Sequence, residues 1–280
     1  MKQILVPTDF STNAKRAVEY ATQLFRDEPC VFILLNTFGA DSYTTSNLMV
    51  LEAGNPAFDK AYNESLEALK ELTEELEADK RNENHSFETV STYNFLTEAI
   101  KDIIVQKDIY MVIMGTKGAT GAKEVWFGSN AVSVMENLEG CPVLAVPETA
   151  EIKLPREIVF PTSLKFPFKS KELDVFLQLA SKLGCVVRVM HVSQHDELTS
   201  EQLSNKKALL EGLKDISTSS HTLTNIEPET AIRCFVESRD IDMIAMVHKK
   251  QGFLSSIFKK PVIKGVGYHT RVPLLVMHRS

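Results

Sequence analysis

The chain has 280 residues, a length that suits two domains of ordinary size. It is 44% hydrophobic and 24% charged, with 31 basic against 37 acidic residues and a net charge of −6. These values exclude disordered and collagen-like chains and argue against a general binder of nucleic acid or anionic membranes. No apolar run approaches the roughly 20 residues of a membrane span, and Asp9 ends the first apolar stretch too early for a signal peptide. We therefore expect a cytoplasmic protein with no nucleic-acid or membrane partner.

Short apolar strands alternate with amphipathic helices along the first half of the chain. Five strands are predicted, at residues 4–7, 31–35, 87–90, 111–114 and 143–146. Four helices are predicted between them, at residues 14–24 behind a cap at Ser11 or Thr12, 59–79, 96–104 and 131–138. The longest of these helices carries an apolar stripe of Leu66, Leu69, Leu72 and Leu76. Strands that alternate with helices predict a parallel sheet with helices on both faces.

The second half of the chain repeats this order of segments. Four segments of the first half, at residues 3–8, 30–35, 108–114 and 142–146, recur at residues 157–162, 185–190, 240–246 and 273–277. The offsets of about 131 to 155 residues indicate a tandem duplication and are far too long for a solenoid repeat. We predict two tandem doubly wound α/β domains, at residues 1–148 and 154–280, each with a mostly parallel five-stranded sheet. A short linker is expected near residues 148–151.

A glycine-rich segment follows the fourth predicted strand. Gly115 stands where the strand ends, Gly118 follows it, and Gly128-Ser129 begins the next helix. Ligands of open parallel sheets bind outside the carboxyl ends of the strands, and glycines there let backbone N–H groups approach a phosphate. We expect Ser129 to cap the helix, whose first amides favour an anion, and Lys117 to add a cation. The alternative is a segment that only turns the chain, since its order fits neither a P-loop nor a dinucleotide-binding fingerprint.

The glycine spacing, together with Pro7-Thr8-Asp9 at the end of the first strand, resembles the ATP-binding type of universal stress protein. The resemblance covers nearly the whole chain, as a tandem of two such domains. It implies a Rossmann-like fold of the adenine nucleotide alpha hydrolase type and a ligand that is ATP, AMP or ADP with Mg²⁺. In that family the glycine segment and the Gly-Ser pair hold phosphates and ribose, while the Asp and the end of the second strand hold adenosine. Carried over, these roles fall on Asp9, Thr37, Met114, Gly115, Gly118, Gly128, Ser129 and Asn130, and Pro7 and Thr8 are expected to line the pocket.

Asp9 has two interpretations that do not exclude each other. Its carboxylate lies at the end of a strand, where it can accept from an adenine amino group or a ribose hydroxyl, or help to hold Mg²⁺. It can also serve as the N-cap of the helix that begins near Ser11.

The second half lacks the glycine motif. Ser163 stands at the position of Asp9, and Val247 and Lys250 stand at the positions of Gly115 and Gly118. Side chains there would obstruct the approach of a phosphate, so we expect the second domain not to bind ATP in the family's way. A basic cluster is left in this region, which is either a solvated loop or a surface for an anion or a protein partner, and it consists of Lys249, Lys250, Lys259, Lys260 and Lys264.

The cysteines and histidines carry no recognisable catalytic or metal motif. No Cys-x-x-Cys pair occurs, and each cysteine lies in an apolar stretch, so all four are expected to be buried small hydrophobes. His191 and His195 have a spacing that suits a metal on a helix, but they directly follow a strand, and no metal site is predicted. No nucleophile elbow and no water-positioning base is visible, which favours binding without efficient turnover.

Three functions therefore compete at this point. The first is a stress-response or signalling protein with one adenine-nucleotide site per chain, and the second is a protein-interaction scaffold with a vestigial pocket. The third is a weak ATPase, for which phosphate release that disappears in Asp9→Ala would be evidence. Side chains introduced at Gly115 or Gly118 are expected to abolish binding and to leave the fold intact. The resemblance also implies that two such domains pair through their last strands, here as a pseudo-dimer within one chain, and a homodimer and protein partners of unknown identity are further candidates.

Overall fold

The computed structural model describes residues 1–38, 55–117, 128–193, 197–248 and 271–279. The chain divides into two compact units. The first is Met1–Cys141 with Ala145–Glu148, and the second is Pro142–Leu144 with Thr149–Ser280. None of the helices in the described ranges combines the length and the apolar character that crossing a membrane requires.

The first unit alternates strands and helices. Its strands are β1 (Lys2–Pro7), β2 (Cys30–Thr37), β3 (His85–Thr92) and β4 (Ile109–Gly115), together with the second half of β5 (Val143–Val146). Its helices are α1 (Thr12–Leu24), α2 (Pro56–Ala78), α3 (Leu96–Gln106) and α4 (Ser129–Asn137), with a short 3-10 turn at Lys80–Asn82. The strand order is β3-β2-β1-β4-β5, and β1 pairs in parallel with both β2 and β4.

This strand order places a topological switch point between β1 and β4. From β1 the chain moves to β2 and β3 on one side of the sheet, then crosses back to β4 on the other side. Right-handed crossovers therefore place α1 and α2 on one face of the sheet and α3 and α4 on the other. In sheets of this kind the ligand crevice lies outside the carboxyl ends of the two strands that flank the switch point.

The second unit has the same topology. Its strands are β6 (Glu157–Thr162), β7 (Val186–Ser193), β8 (Thr218–Thr224), β9 (Met243–His248) and β10 (Leu274–His278). Its helices are α5 (Ser170–Leu183), α6 (Ser200–Gly212) and α7 (Pro228–Ser238). The strand order is β10-β9-β6-β7-β8, with parallel pairs throughout, so the corresponding switch point lies between β6 and β9.

The doubly wound α/β fold predicted from the alternating segments is confirmed. The central strands are covered on both faces, and Ile4, Leu34 and Val112 are fully buried in the core. One detail of the predicted apolar stripe is wrong, because Leu66 of α2 is 39% exposed, whereas Leu69 and Leu72 are buried. The buried face of α2 runs through Ser65, Leu69 and Leu72, and Leu66 lies beside it.

The cysteines differ from one another in burial. Cys30, Cys141 and Cys185 are buried as predicted, but Cys234 on α7 is exposed, so the prediction is wrong for that residue. Helix α7 directs its neighbours Ala231, Ile232 and Phe235 to the core, which leaves position 234 on the solvent side.

We expect one fast-reacting thiol per folded chain. Burial raises the pKa of Cys141 to about 12 and that of Cys185 to about 12, so neither forms the reactive thiolate near neutral pH. A disulfide reagent at about pH 8 should label Cys234 rapidly and the other thiols only after denaturant is added. Cys234→Ser is the control, and it should abolish the fast phase. Two or more fast thiols in the wild-type chain would contradict the buried positions.

Candidate functional site

The end of β1 forms a tight turn at the switch point of the first unit. The Thr8 amide donates to the Leu35 carbonyl at 2.8 Å, and the Thr8 hydroxyl oxygen accepts from the Phe10 amide at 3.0 Å. Phe10 has a φ of 62°, a left-handed conformation that is unfavourable for a residue with a bulky side chain. The turn therefore holds Asp9 in a fixed, exposed position at the carboxyl edge of the sheet.

Ser11, and not Asp9, is the N-cap of α1. Its hydroxyl oxygen accepts from the Ala14 amide at 3.2 Å. Asp9 supports this cap, because one of its carboxylate oxygens accepts from the Ser11 amide at 3.1 Å and from the Ser11 hydroxyl at 2.6 Å. The prediction of a cap at Ser11 or Thr12 is thus settled in favour of Ser11, and the carboxylate of Asp9 orients the capping residue.

The end of β4 is tied to the start of α1 by a buried side chain, Asn13. Its oxygen accepts from the Lys117 amide at 2.8 Å and from the Thr116 hydroxyl at 3.3 Å, while its nitrogen donates to the Val146 carbonyl at 2.9 Å. Asn13 is only 4% exposed. We did not predict a role for it, although a polar residue on the otherwise apolar buried face of α1 is a sequence signal for a buried hydrogen-bonded group.

The start of α4 is bonded directly back to the end of β4. The Gly128 amide donates to the Thr116 carbonyl at 2.7 Å. Gly128 is the N-cap of α4 and Ser129 is its first residue, so the expected capping role of Ser129 is wrong. Gly128 has the extended backbone of an N-cap, with φ −63° and ψ 159°, and its missing side chain supplies no oxygen to the first helical amides.

Gly115 packs closely against Asn13. A Cβ atom at this position would lie 3.0 Å from Cγ of Asn13 and 3.1 Å from its backbone carbonyl atoms. The first turn of α1 would have to give by a few tenths of an ångström, so a side chain at Gly115 should cost stability, and the expectation that the fold stays intact remains a prediction. In the second unit, where Val247 stands at the corresponding position, the first helix, α5, begins farther from the end of the preceding strand, at Ser170.

We expect Gly115→Ala to destabilise the chain by about 1–3 kcal/mol through overpacking against Asn13. Gly212→Ala is the matched control, because a Cβ at that helical position meets nothing within 4 Å. It should raise the free energy of unfolding by about 0.5–1 kcal/mol, since alanine is the better helix former. Urea unfolding measures both changes, and equal shifts of the two midpoints would contradict the crowding at Gly115.

The predicted site residues lie at the carboxyl ends of the strands and on the first turn of α4. Pro7, Thr8 and Met114 are buried, and Thr37 ends β2, where it pairs with Thr92. Ser129 and Asn130 are exposed on the first turn of α4. Asn130 also borders a groove of about 450 Å³ between α3 and α4, lined further by Phe95, Leu96, Thr97, Glu98, Lys101, Ser133 and Asn137. Gly118 lies outside the described residues.

A second buried amide, Asn36, ties the end of β2 to the same turn. Its nitrogen donates to the Thr8 carbonyl at 2.7 Å, and its oxygen accepts from the Ser65 hydroxyl of α2 at 2.7 Å. The Ser65 and Ser91 hydroxyls are 2.7 Å apart, which extends the chain of hydrogen bonds to β3. This network fixes the β1 turn against three further elements, and a polar residue at the end of an apolar strand was its only signal in the sequence.

The second unit keeps the strand-end turn but ties it differently. The Thr162 hydroxyl oxygen accepts from the Leu164 amide at 3.1 Å, and Leu164 has a φ of 57°. Two side chains of α6 then bond the carbonyls of the turn: Gln202 donates to Ser163 at 3.1 Å and Asn205 donates to Leu164 at 2.9 Å. The turn that presents Asp9 in the first unit is here covered by α6.

His191 takes the place of Asn36 in the second unit. Its Nδ1–H donates to the Thr162 carbonyl at 2.8 Å, as the Asn36 amide does to Thr8. Within the described ranges, no three His, Cys, Asp or Glu side chains come together in a way that could hold a metal ion. His195 and the five lysines of the predicted basic cluster lie outside those ranges.

Comparisons with known proteins agree with this architecture. Residues 1–147 match the model of the universal stress protein family. A universal stress protein from Archaeoglobus fulgidus DSM 4304 is 19% identical with a TM-score of 0.69, and the match covers 99% of this chain and 98% of that one. A putative universal stress protein from Pseudomonas aeruginosa UCBPP-PA14 is 12% identical, with a TM-score of 0.59 and coverage of 99% and 93%.

The fold also occurs outside stress proteins. The cytoplasmic domain of a prokaryotic cation chloride cotransporter is 11% identical with a TM-score of 0.54, over 98% of this chain and 94% of that one. At sequence identities this low, the structural likeness shows a shared fold and no function. No significant match appears among curated proteins. The match of the family model over more than half of the sequence is what decides the assignment: the chain belongs to the universal stress protein family.

Proposed function

We propose that this chain binds ATP, or AMP or ADP in its place, with Mg²⁺ at the switch point of its first unit. In this proposal it acts in the cytoplasm as a stress-response or signalling protein. The observation that carries the proposal is the frame of hydrogen bonds that brings the β1 turn, the end of β4 and the start of α4 together. The frame places the carboxylate of Asp9 and the first amides of α4 at the carboxyl end of the sheet, where sheets of this kind bind ligands.

The phosphate side of the proposed site is the start of α4. The first amides of a helix have no partner inside the helix, and the positive end of the helix dipole lies there. Gly128 supplies no side chain to cap them, an arrangement that suits an external anion. Lys117 stands at the other end of the same segment and can add a positive charge near the phosphates.

The nucleoside side of the proposed site is the edge formed by β1 and β2. Asp9 is exposed there and is oriented through its bonds to Ser11. A carboxylate in this position can accept from a ribose hydroxyl or an adenine amino group. Thr37, at the end of β2, offers backbone groups at the same edge, and the buried Pro7 and Met114 supply apolar surface.

The two units differ in ways that support one site per chain. In the second unit, Ser163 replaces the carboxylate of Asp9, and its carbonyl accepts from Gln202 of α6. The β6 turn therefore presents no acidic group, and a helix side chain already lies against it. A pocket that is covered by its own side chains would have to give up these hydrogen bonds to admit a nucleotide.

A calorimetric titration of nucleotide-free chain with Mg-ATP tests the proposal. We expect saturable binding near one nucleotide per chain, and parallel titrations with ADP and AMP show which phosphates contribute. A folded chain that binds none of the three nucleotides would overturn the proposed function and favour the scaffold alternative. Two equal sites per chain would overturn the assignment to the first unit alone.

A further inference from the structure

The geometry points to Asn13 as the positioning residue for the two ends of the glycine segment, which are residues 115–117, the near end, and Gly128, the far end. We propose that its buried amide holds both ends in place for the phosphates of the nucleotide. This inference rests on the proposed function, because it assigns a positioning residue of the same site. Asn13 itself is buried and acts through the backbone groups that it bonds.

The near end of the segment is fixed by three hydrogen bonds of one side chain. Asn13 accepts from the Lys117 amide at 2.8 Å and from the Thr116 hydroxyl at 3.3 Å, and it donates to the Val146 carbonyl at 2.9 Å. Val146 also accepts from the Thr116 amide at 3.1 Å. A buried amide bonded through both its oxygen and its nitrogen cannot rotate without leaving polar groups unsatisfied, so it holds these residues in one arrangement.

The far end of the segment is held through one further hydrogen bond. Thr116, whose amide and hydroxyl are fixed as above, accepts through its carbonyl from the Gly128 amide at 2.7 Å. Gly128 is the N-cap of α4, so the start of that helix is set by residues that Asn13 holds. Gly115 also packs closely against Asn13, since a Cβ at position 115 would lie 3.0 Å from Cγ of Asn13. This contact keeps the end of β4 aligned with the start of α1.

Pre-forming both ends of a binding segment lowers the entropy lost when a ligand orders it. Without the Asn13 amide, Lys117 and Gly128 would be held less firmly, and part of the binding free energy would go into ordering them. We therefore expect Asn13→Ala to weaken Mg-ATP binding by about tenfold or more, the equivalent of one lost buried hydrogen bond.

A purely structural role for Asn13 makes a different prediction, and Asn205 separates the two. Asn205 is also a buried amide, 6% exposed, and it donates to the Leu164 carbonyl at 2.9 Å in the second unit. Both Asn13→Ala and Asn205→Ala should lower the free energy of unfolding. Only Asn13→Ala should weaken Mg-ATP binding, and only this variant should speed hydrogen exchange at the Lys117 and Gly128 amides of the nucleotide-free chain.

The affinity of Asn13→Asp for Mg-ATP should depend on pH in a way that a loss of packing alone does not produce. An ionised aspartate would keep the acceptor for the Lys117 amide but would place a second oxygen against the Val146 carbonyl. Protonation restores a donor toward Val146, so the affinity of Asn13→Asp relative to wild type should rise as the pH is lowered from about 8 to about 5.5.

The outcomes separate this inference from the proposed function. A wild-type chain that binds no Mg-ATP overturns the proposed function and, with it, the inference. Wild-type binding together with unchanged affinity in folded Asn13→Ala overturns the inference alone. Equal losses of affinity in Asn13→Ala and Asn205→Ala would also overturn it, because they would trace the effect to general destabilisation.

Discussion

Asp9→Ala is expected to weaken Mg-ATP binding by about ten- to a hundredfold, the effect of removing a hydrogen bond to a charged group. The fold should survive, because Asp9 is exposed and α1 retains its cap at Ser11. The free energy of unfolding should fall by no more than about 1 kcal/mol, since the substitution removes only the acceptor that orients Ser11. Calorimetric titration gives the affinity, and urea unfolding gives the stability.

Two variants show what the carboxylate contributes. Asp9→Asn keeps an oxygen that can accept from the Ser11 amide and hydroxyl, but it removes the charge. Affinity retained in Asp9→Asn indicates hydrogen bonding to the nucleoside, and affinity lost indicates a role for the charge, as in holding Mg²⁺. Ser163→Ala is the matched control at the corresponding position of the second unit and should leave binding unchanged. Loss of binding in Ser163→Ala, with wild-type affinity in Asp9→Ala, would move the site to the second unit.

The fold was predictable because each strand is a short apolar run between turn-forming residues. The prediction at residues 143–146 matches β5, and the repeat segment at residues 157–162 matches β6. Parallel strands buried on both faces are nearly continuous in hydrophobicity, so their position depends little on the partner strand. The predicted strand ends too early where polar residues extend it, because the prediction stops at residue 35 and β2 continues through Asn36 and Thr37.

The components of the candidate site were predictable, but the contacts that hold them were not. Asp9 and Gly115 were predicted from their positions at strand ends and Pro7 from the family resemblance, and all three lie at the carboxyl ends of β1 and β4. The role of Asn13 depends on its distance to Lys117, which is 104 positions away in the sequence. The cap of α4 shifted from Ser129 to Gly128 because the Gly128 amide bonds the Thr116 carbonyl, a contact made only in the folded chain.

In the second unit, too, the contacts could not be predicted from the sequence. The missing glycine motif predicts that the site is lost, but it does not show which side chains lie against the β6 turn instead. Gln202 and Asn205 of α6 cover the strand-end turn, and the end of β10 supplies a buried ion pair between Arg279 and Glu172. Gln202 belongs to the capping box at the start of α6, but that motif does not indicate a bond to the β6 turn, since the side chains of Gln202 and Asn205 bond backbone carbonyls that any residue would offer.

Of the substitutions proposed here, Arg279→Ala should lower the free energy of unfolding the most. Arg279 Nε lies 3.6 Å from Oε1 of Glu172, whose side chain on α5 is 1% exposed, against 24% for Arg279. Another Arg279 nitrogen donates to the Pro167 carbonyl at 3.3 Å, and its guanidinium lies 5.4 Å from the ring centroid of Phe166. Removing the arginine leaves a buried carboxylate without its cation, and the free energy of unfolding should fall by about 2–4 kcal/mol.

A double-mutant cycle with Glu172→Gln tests the origin of this effect. If the loss in Arg279→Ala comes from the unpaired charge, Arg279→Ala with Glu172→Gln should recover at least about 1 kcal/mol, because the amide carries no charge. Strictly additive effects of the two substitutions would instead assign the loss to the contacts of Arg279 with Phe166 and Pro167.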